Sequence, residues 1–179
     1  MSLLDKVIAA VTPPESEEAR AKARAEANAA ATPGDWLSMI LDHHLLLEEA
    51  FADVKAAGDA ASRTAALKYL GVVLTGHAIA EESVIYPGLS EAHETRHADM
   101  GYTEQAMVKM QMAALEKMDP MSQDFLDKLG HVEGAVAHHM YQEEGTWFLE
   151  LKEKASAADQ AMITKRYAEE WERYVGADA

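Results

Sequence analysis

His77-Ala-Ile-Ala-Glu81-Glu82, followed by Tyr86-Pro87, recurs later in the chain as His139-Met-Tyr-Gln-Glu143-Glu144, followed by Phe148. The two copies share the histidine, both glutamates and an aromatic nine residues after the histidine. A spacing of four puts each His and its first Glu on one face of a helix. That face is otherwise apolar: Leu70, Val73 and Val84 accompany His77, and Val132, Ala135 and Val136 accompany His139. Burying an ionisable pair without a partner is expensive. Two such pairs on facing helices therefore point to a shared partner inside a bundle. Imidazole with carboxylate suits iron, manganese or zinc, and carboxylates can bridge two ions.

Working outward, alanine, glutamate, lysine, leucine and methionine dominate and β-branched clusters are scarce, so the whole chain reads as helical. Pro13-Pro14 stops a short amphipathic helix over Leu3 to Val11, and Pro33-Gly34 ends an Ala- and Glu-rich surface helix over Glu15 to Ala31. Residues 1–34 thus form a helical extension to a body at 35–154. In that body Asp35 caps a helix to about Ala57, and Ser62 caps one to Tyr86 that Pro87-Gly88 closes. A third runs from near Ser90 to Met118, and Asp119-Pro120 opens a fourth to about Lys154. Short links make neighbours antiparallel, which predicts an all-α, up-down four-helix bundle. Ser156 with Asp159 starts a last helix in residues 155–179, whose Ile163, Tyr167, Trp171 and Tyr174 form one docking stripe.

The first bundle helix offers His43 and His44, of which one can face the axis well. Ile40, Leu47 and Phe51 share the flank of His44, which favours it, with His43 as the alternative. The third helix offers His93 and His97, again four apart. His97 aligns with Met100, Glu104, Val108 and Leu115, so Glu104 points inward, either as an extra ligand or as an outer partner that orients one. His131 and His138 fall on a polar face and read as solvated. The methionines of the third helix, among them Met100, Met107 and Met110, read as pliable packing.

Composition narrows the chemistry further. The 179 residues suffice for one core-bearing domain, and 49% of them are apolar. There is no cysteine, which removes disulfides, thiolate metal sites and cysteine nucleophiles. Sixteen Lys+Arg against 31 Asp+Glu leave a net charge of −15, a surface that repels nucleic acid and anionic membrane. No apolar run reaches the roughly 18 residues that span a bilayer, and MSLLDKVIAAV lacks the basic leader of a signal peptide. These features predict a cytoplasmic protein.

Taken in order, the first-helix His, His77-x-x-x-Glu81 with Glu82 and Tyr86-Pro87, His93-x-x-x-His97 and His139-x-x-x-Glu143 resemble the hemerythrin family, or HHE cation-binding domain, over about residues 35–150. The resemblance implies two irons bridged by Glu81, Glu143 and an oxo group. It places His44 and His77 on one iron and His93, His97 and His139 on the other, with a position left open where the family binds dioxygen. Invertebrate oxygen carriers of the family space the last His and carboxylate by five, which would select His138–Glu143 or His139–Glu144; the internal repeat selects His139–Glu143. Glu104 has no counterpart among their ligands. Relatives that repair iron–sulfur clusters use a cysteine-bearing N-terminal segment, which a cysteine-free chain does not supply. The resemblance therefore implies a di-iron protein that binds or senses dioxygen or a related diatomic, and more a binding protein than an enzyme. An oxidoreductase acting on peroxide or nitric oxide and an iron store are the competing readings. Manganese or zinc would suit the same donors. The apolar face of residues 3–11 predicts self-association.

Overall fold

The computed structural model describes residues 15–176. The expected helix over Leu3 to Val11, and the self-association ascribed to it, lie outside the described residues.

Every element among the described residues is helical. Helix α1 spans Glu17–Ala30, α2 Trp36–Ala56 and α3 Ala60–Ala80. A π-helical turn over Glu81–Ile85 joins α3 to α4, Tyr86–Glu91. Helix α5 spans Thr95–Leu115 and α6 Gln123–Gln142. A second π-helical turn over Glu143–Trp147 leads into α7, Phe148–Lys154, and α8 spans Ala157–Tyr174. The four long rods (α2, α3–α4, α5 and α6–α7) form the antiparallel bundle, with α2 against α3 and α5 against α6. Helix α1 lies on the second π turn, and α8 on α2 and α3.

Local chemistry shifts several expected boundaries. Asp59, not Ser62, caps α3: its Oδ1 accepts from the amides of Ala61 and Ser62, both at 2.9 Å. The Ser62 hydroxyl instead donates to the Asp59 carbonyl. Pro87-Gly88 does not close the second rod, because the wider turn ahead of it accommodates a residue with no N–H and the helix runs on to Glu91. The third rod begins at Thr95 rather than near Ser90, since His93 takes a left-handed φ of 67° and breaks the chain there. Asp119 makes a turn, with its Oδ1 on the Met121 amide, and Ser122 is the cap of α6. Arg63 is an unforeseen buried anchor. Its guanidinium donates to the carbonyls of Val54 and Ala57 at the end of α2 and to that of Pro120.

Two apolar clusters sandwich one polar layer. Trp36, Ile40, Ile85, Leu89, Phe148 and Tyr167 belong to one, and Leu47, Phe51, Leu70, Phe125, Leu129 and Val132 to the other. Along α2 the layer falls at His44, along α3 at His77 and along α6 at His139, all buried. Of the predicted α8 stripe, Ile163 and Tyr167 are buried and Trp171 packs, whereas Tyr174 is exposed. Glu170 is buried in that helix instead, paired with Arg166 and Arg173.

Candidate metal centre

Each His-x-x-x-Glu copy ends an α-helical rod with its glutamate as the first residue of a π turn. The sequence repeat is thus a structural repeat, and π turns of this kind frequently mark functional sites. His77 Nε2 stands 3.2 Å from Glu81 Oε2, and His139 Nε2 stands 3.2 Å from Glu143 Oε1. From α2, His44 Nε2 comes within 3.5 Å of Glu143 Oε2. Ligand atoms of His44, His77, Glu81 and Glu143 all lie within 4.8 Å of one another.

His43 turns the other way. Its ring stacks on Trp171 of α8 with centroids 3.5 Å apart, and its Nδ1 meets the Tyr167 hydroxyl at 2.9 Å. Glu104 bonds the outer nitrogen of His139, Oε2 to Nδ1 at 2.7 Å, which is the orienting geometry rather than an inward one. The structure does not bring His93 or His97 to the cluster. His93 is exposed in the turn before α5. His97 stacks on Trp147 and pairs with Glu94 and Glu150. His138 is half-buried and bonds Glu15, a contact that departs from the solvated reading.

Helix α5 faces the cluster with Gly101 and Gln105. A Cβ on Gly101 would sit 2.5 Å from the ring of Tyr86, so the bare glycine makes room for that phenol. The Tyr86 hydroxyl lies 3.1 Å from His139 Nε2, 3.3 Å from Glu143 Oε1 and 3.4 Å from Glu81 Oε2. Gln105 Nε2 donates to both Tyr86 and Glu81 at 2.6 Å. Sequence reasoning missed Gln105 and the inward role of Tyr86; the aromatic in the repeat was the available signal for the latter.

All three central imidazoles present Nε2 inward and Nδ1 to an outer partner. That partner is Glu144 for His44 (2.7 Å), Tyr167 for His77 (3.5 Å) and Glu104 for His139. Such partners fix the ring orientation and tautomer of metal-ligating histidines. The inward atoms have little to bond. His44 Nε2, His77 Nε2, Glu81 Oε1, Glu143 Oε2 and Gln105 Oε1 are buried with no hydrogen-bond partner. Buried polar atoms are ordinarily satisfied, so a convergent set of unsatisfied ones fits a cation.

The charges are distributed to match. Burial works to lower the pKa of His44, yet Glu143 and Glu144 against its two nitrogens raise it to about 9. Burial, with the His44 cation beside it, pushes His77 well down. Burial and the Glu143 charge push Glu81 well up, while His139 and His44 hold Glu143 low against the effect of its own burial. The surroundings thus push the two carboxylates in opposite directions, and an arriving cation would compete with protons for this layer. A cleft of about 560 Å³ between α3 and α5 reaches this layer, with His77, Gln105 and His139 at its inner end and Val72, Val108 and Met112 among its walls.

A four-helix bundle with a buried three-His, two-Glu layer defines a metal-binding helical protein. Comparison with known proteins says which kind: the profile described as Hemerythrin HHE cation binding domain matches residues 36–151, and the chain belongs to the hemerythrin family. Helices α1 and α8 lie outside that match. The chain is also 29% identical over 93 residues to a protein named DNA nickase from Nostoc sp. (strain PCC 7120 / SAG 25.82 / UTEX 2576). The aligned part is 50% of this chain and 26% of that relative's length. No solved structure matches. Among the described residues, no helix is long and apolar enough to cross a membrane.

Proposed function

We propose that the polar layer is a non-haem di-iron centre that takes up or senses dioxygen or a related diatomic molecule. The observation that carries this reading is the convergence of His44, His77, Glu81 and Glu143, whose ligand atoms lie within 4.8 Å of one another and each of which has a buried atom without a hydrogen-bond partner, in a layer whose outer atoms are satisfied. Two irons held there would supply ions able to change oxidation state and to accept a ligand from outside. His44 and His77 would hold one ion and His139 the other, with Glu81 and Glu143 between them. Three histidines, not five, then serve the centre, because His93 and His97 stand elsewhere; Tyr86 and Gln105 occupy the side of the layer that α5 faces. A nitrogen and oxygen donor set without sulfur also suits manganese or zinc.

Apolar walls make the cleft between α3 and α5 suitable for a small neutral molecule, and it ends at residues of the centre. Tyr86 and Tyr167 stay protonated, since burial and the carboxylate charges push both well up. Tyr86 is therefore a hydrogen-bond donor at the inner end. Its position favours a second reading, reduction of peroxide or nitric oxide, in which that hydroxyl delivers a proton. A net charge of −15 argues against a polyanionic substrate of the sort the relative's name denotes.

Iron-loaded protein cycled between argon and air separates the two readings. A spectral change that reverses under argon, with no consumption of added peroxide, supports uptake or sensing. Peroxide turnover that Tyr86→Phe abolishes while iron content stays constant supports the enzyme. No response to either molecule contradicts both.

A further inference from the structure

Helix α1 precedes the family match, yet one of its side chains is joined to the centre. Its buried face is made of alanines, Ala23 and Ala27, and Ala23 lies 3.4 Å from where a Cβ on Gly145 would stand. Small residues on both sides seat the helix against the second π turn, the segment that begins with Glu143 and Glu144. This close approach brings Arg24 to Glu144. Arg24 Nη2 donates to Glu144 Oε1 at 2.8 Å, and Nε lies 3.1 Å from both Glu144 oxygens. The remaining Nη1 bonds the more exposed Glu48 at 2.9 Å.

Glu144 is 2% exposed, and its Oε1 bonds His44 Nδ1 at 2.7 Å. A carboxylate so placed needs a cation or donors, because an unpaired buried charge is costly. Arg24 supplies that charge through a planar fork with fixed geometry, which a lysine would not reproduce. The line Arg24–Glu144–His44 thus runs from an added helix to the centre and leaves Nε2 of His44 aimed inward. We propose that α1 is a working part of the metal centre, with Arg24 a positioning residue that holds His44 in its ligating orientation through Glu144 and so sets how firmly the metal is kept. This rests on the metal-centre reading above.

Four full-length proteins test it: wild type, Arg24→Ala, Arg24→Lys and Glu48→Ala. Each is iron-loaded and challenged with a chelator. Loss of an outer partner of a metal-bound histidine typically weakens the metal by about 10- to 100-fold. Arg24→Ala, which acts one contact further out through Glu144, should release iron more readily by a factor of about 10, the lower end of that range, Arg24→Lys by less, and Glu48→Ala should match wild type. Thermal unfolding in excess chelator checks that the variants remain folded. In the same chelated samples, proton NMR reads the hydrogen-bonded His44 Nδ1–H, whose downfield resonance should be lost or move upfield in Arg24→Ala and persist in Glu48→Ala. Wild-type iron retention in Arg24→Ala, or an unchanged His44 resonance, overturns the proposal. If wild type takes up no iron, the metal-centre reading falls, and the resonance still decides whether Arg24 positions His44.

Discussion

His43 and His44 are adjacent in sequence but have different surroundings. His44 has a carboxylate against each nitrogen, whereas His43 is sandwiched against α8 with its Nδ1 on Tyr167. Replacing His44 with alanine should remove bound iron. Replacing His43 should leave iron in place and cost about 0.5–1.5 kcal/mol of stability, the usual worth of an aromatic contact beyond its buried area. Iron per chain and chemical denaturation of the two variants check this. The same residue gives a pH dependence. With its pKa raised to about 9, against about 6.5 in an unfolded chain, His44 contributes stability fully below about pH 6.5 and loses it as pH rises through about 9. His139, also raised, acts in the same direction. Denaturant titrations in chelator should therefore give lower stability at pH 9 than at pH 6.5, with a smaller drop in Glu144→Gln; equal stabilities would contradict the assignment. The inward turn of His44 was legible from its aliphatic flanks. The places of His93 and His97 were not: a spacing of four implies a shared helical face only if both residues are helical, and the positive φ of His93 puts it before the helix begins.

At the scale of the element, the two π turns are what distinguish the rods bearing His77 and His139 from ordinary amphipathic helices. Each inserts its extra residue where a buried glutamate starts the turn, and the first also carries Tyr86 onto the face of Gly101. Gly101→Ala would place a methyl group 2.5–2.9 Å from three carbons of that ring. The ring is buried and held by Gln105, so it has little room to yield. We expect a loss of about 1–3 kcal/mol, typical of overpacking, with altered metal spectra; calorimetry of the loaded and chelated forms would show the first and absorption of the loaded form the second. Among the described residues, the helical rods and their order were legible from composition and punctuation. The π turns were not, because nothing in a His-x-x-x-Glu spacing distinguishes an α from a π turn downstream. Caps were misplaced where two polar residues competed, as Asp59 and Ser62 did, since the nearer carboxylate took both amides.

For the whole molecule, the family's bundle is flanked by a helix before it and a helix after it, and both reach its polar layer. Helix α1 does so through Arg24, and α8 through Tyr167, which lies between His43 and His77. Sequence patterning foresaw that α8 docks. It did not foresee that either helix touches the centre, because a surface Arg and a buried Tyr each read equally well as plain packing. A ligand that binds only the folded chain raises its stability in proportion to RT ln(1 + [L]/Kd), so removing metal should lower the midpoint of thermal unfolding. Tyr167→Phe should narrow that gap by weakening the hold on His77, whereas an unchanged gap would mean that α8 serves packing alone. The central claim is best tested by metal analysis of protein purified without added metal, together with its absorption spectrum in air. The account predicts about two irons per chain with near-ultraviolet oxo-to-iron bands, both lost in the His77→Ala, Glu143→Ala double variant. Zinc, a single ion, no metal, or a metal content unchanged in that variant would contradict it.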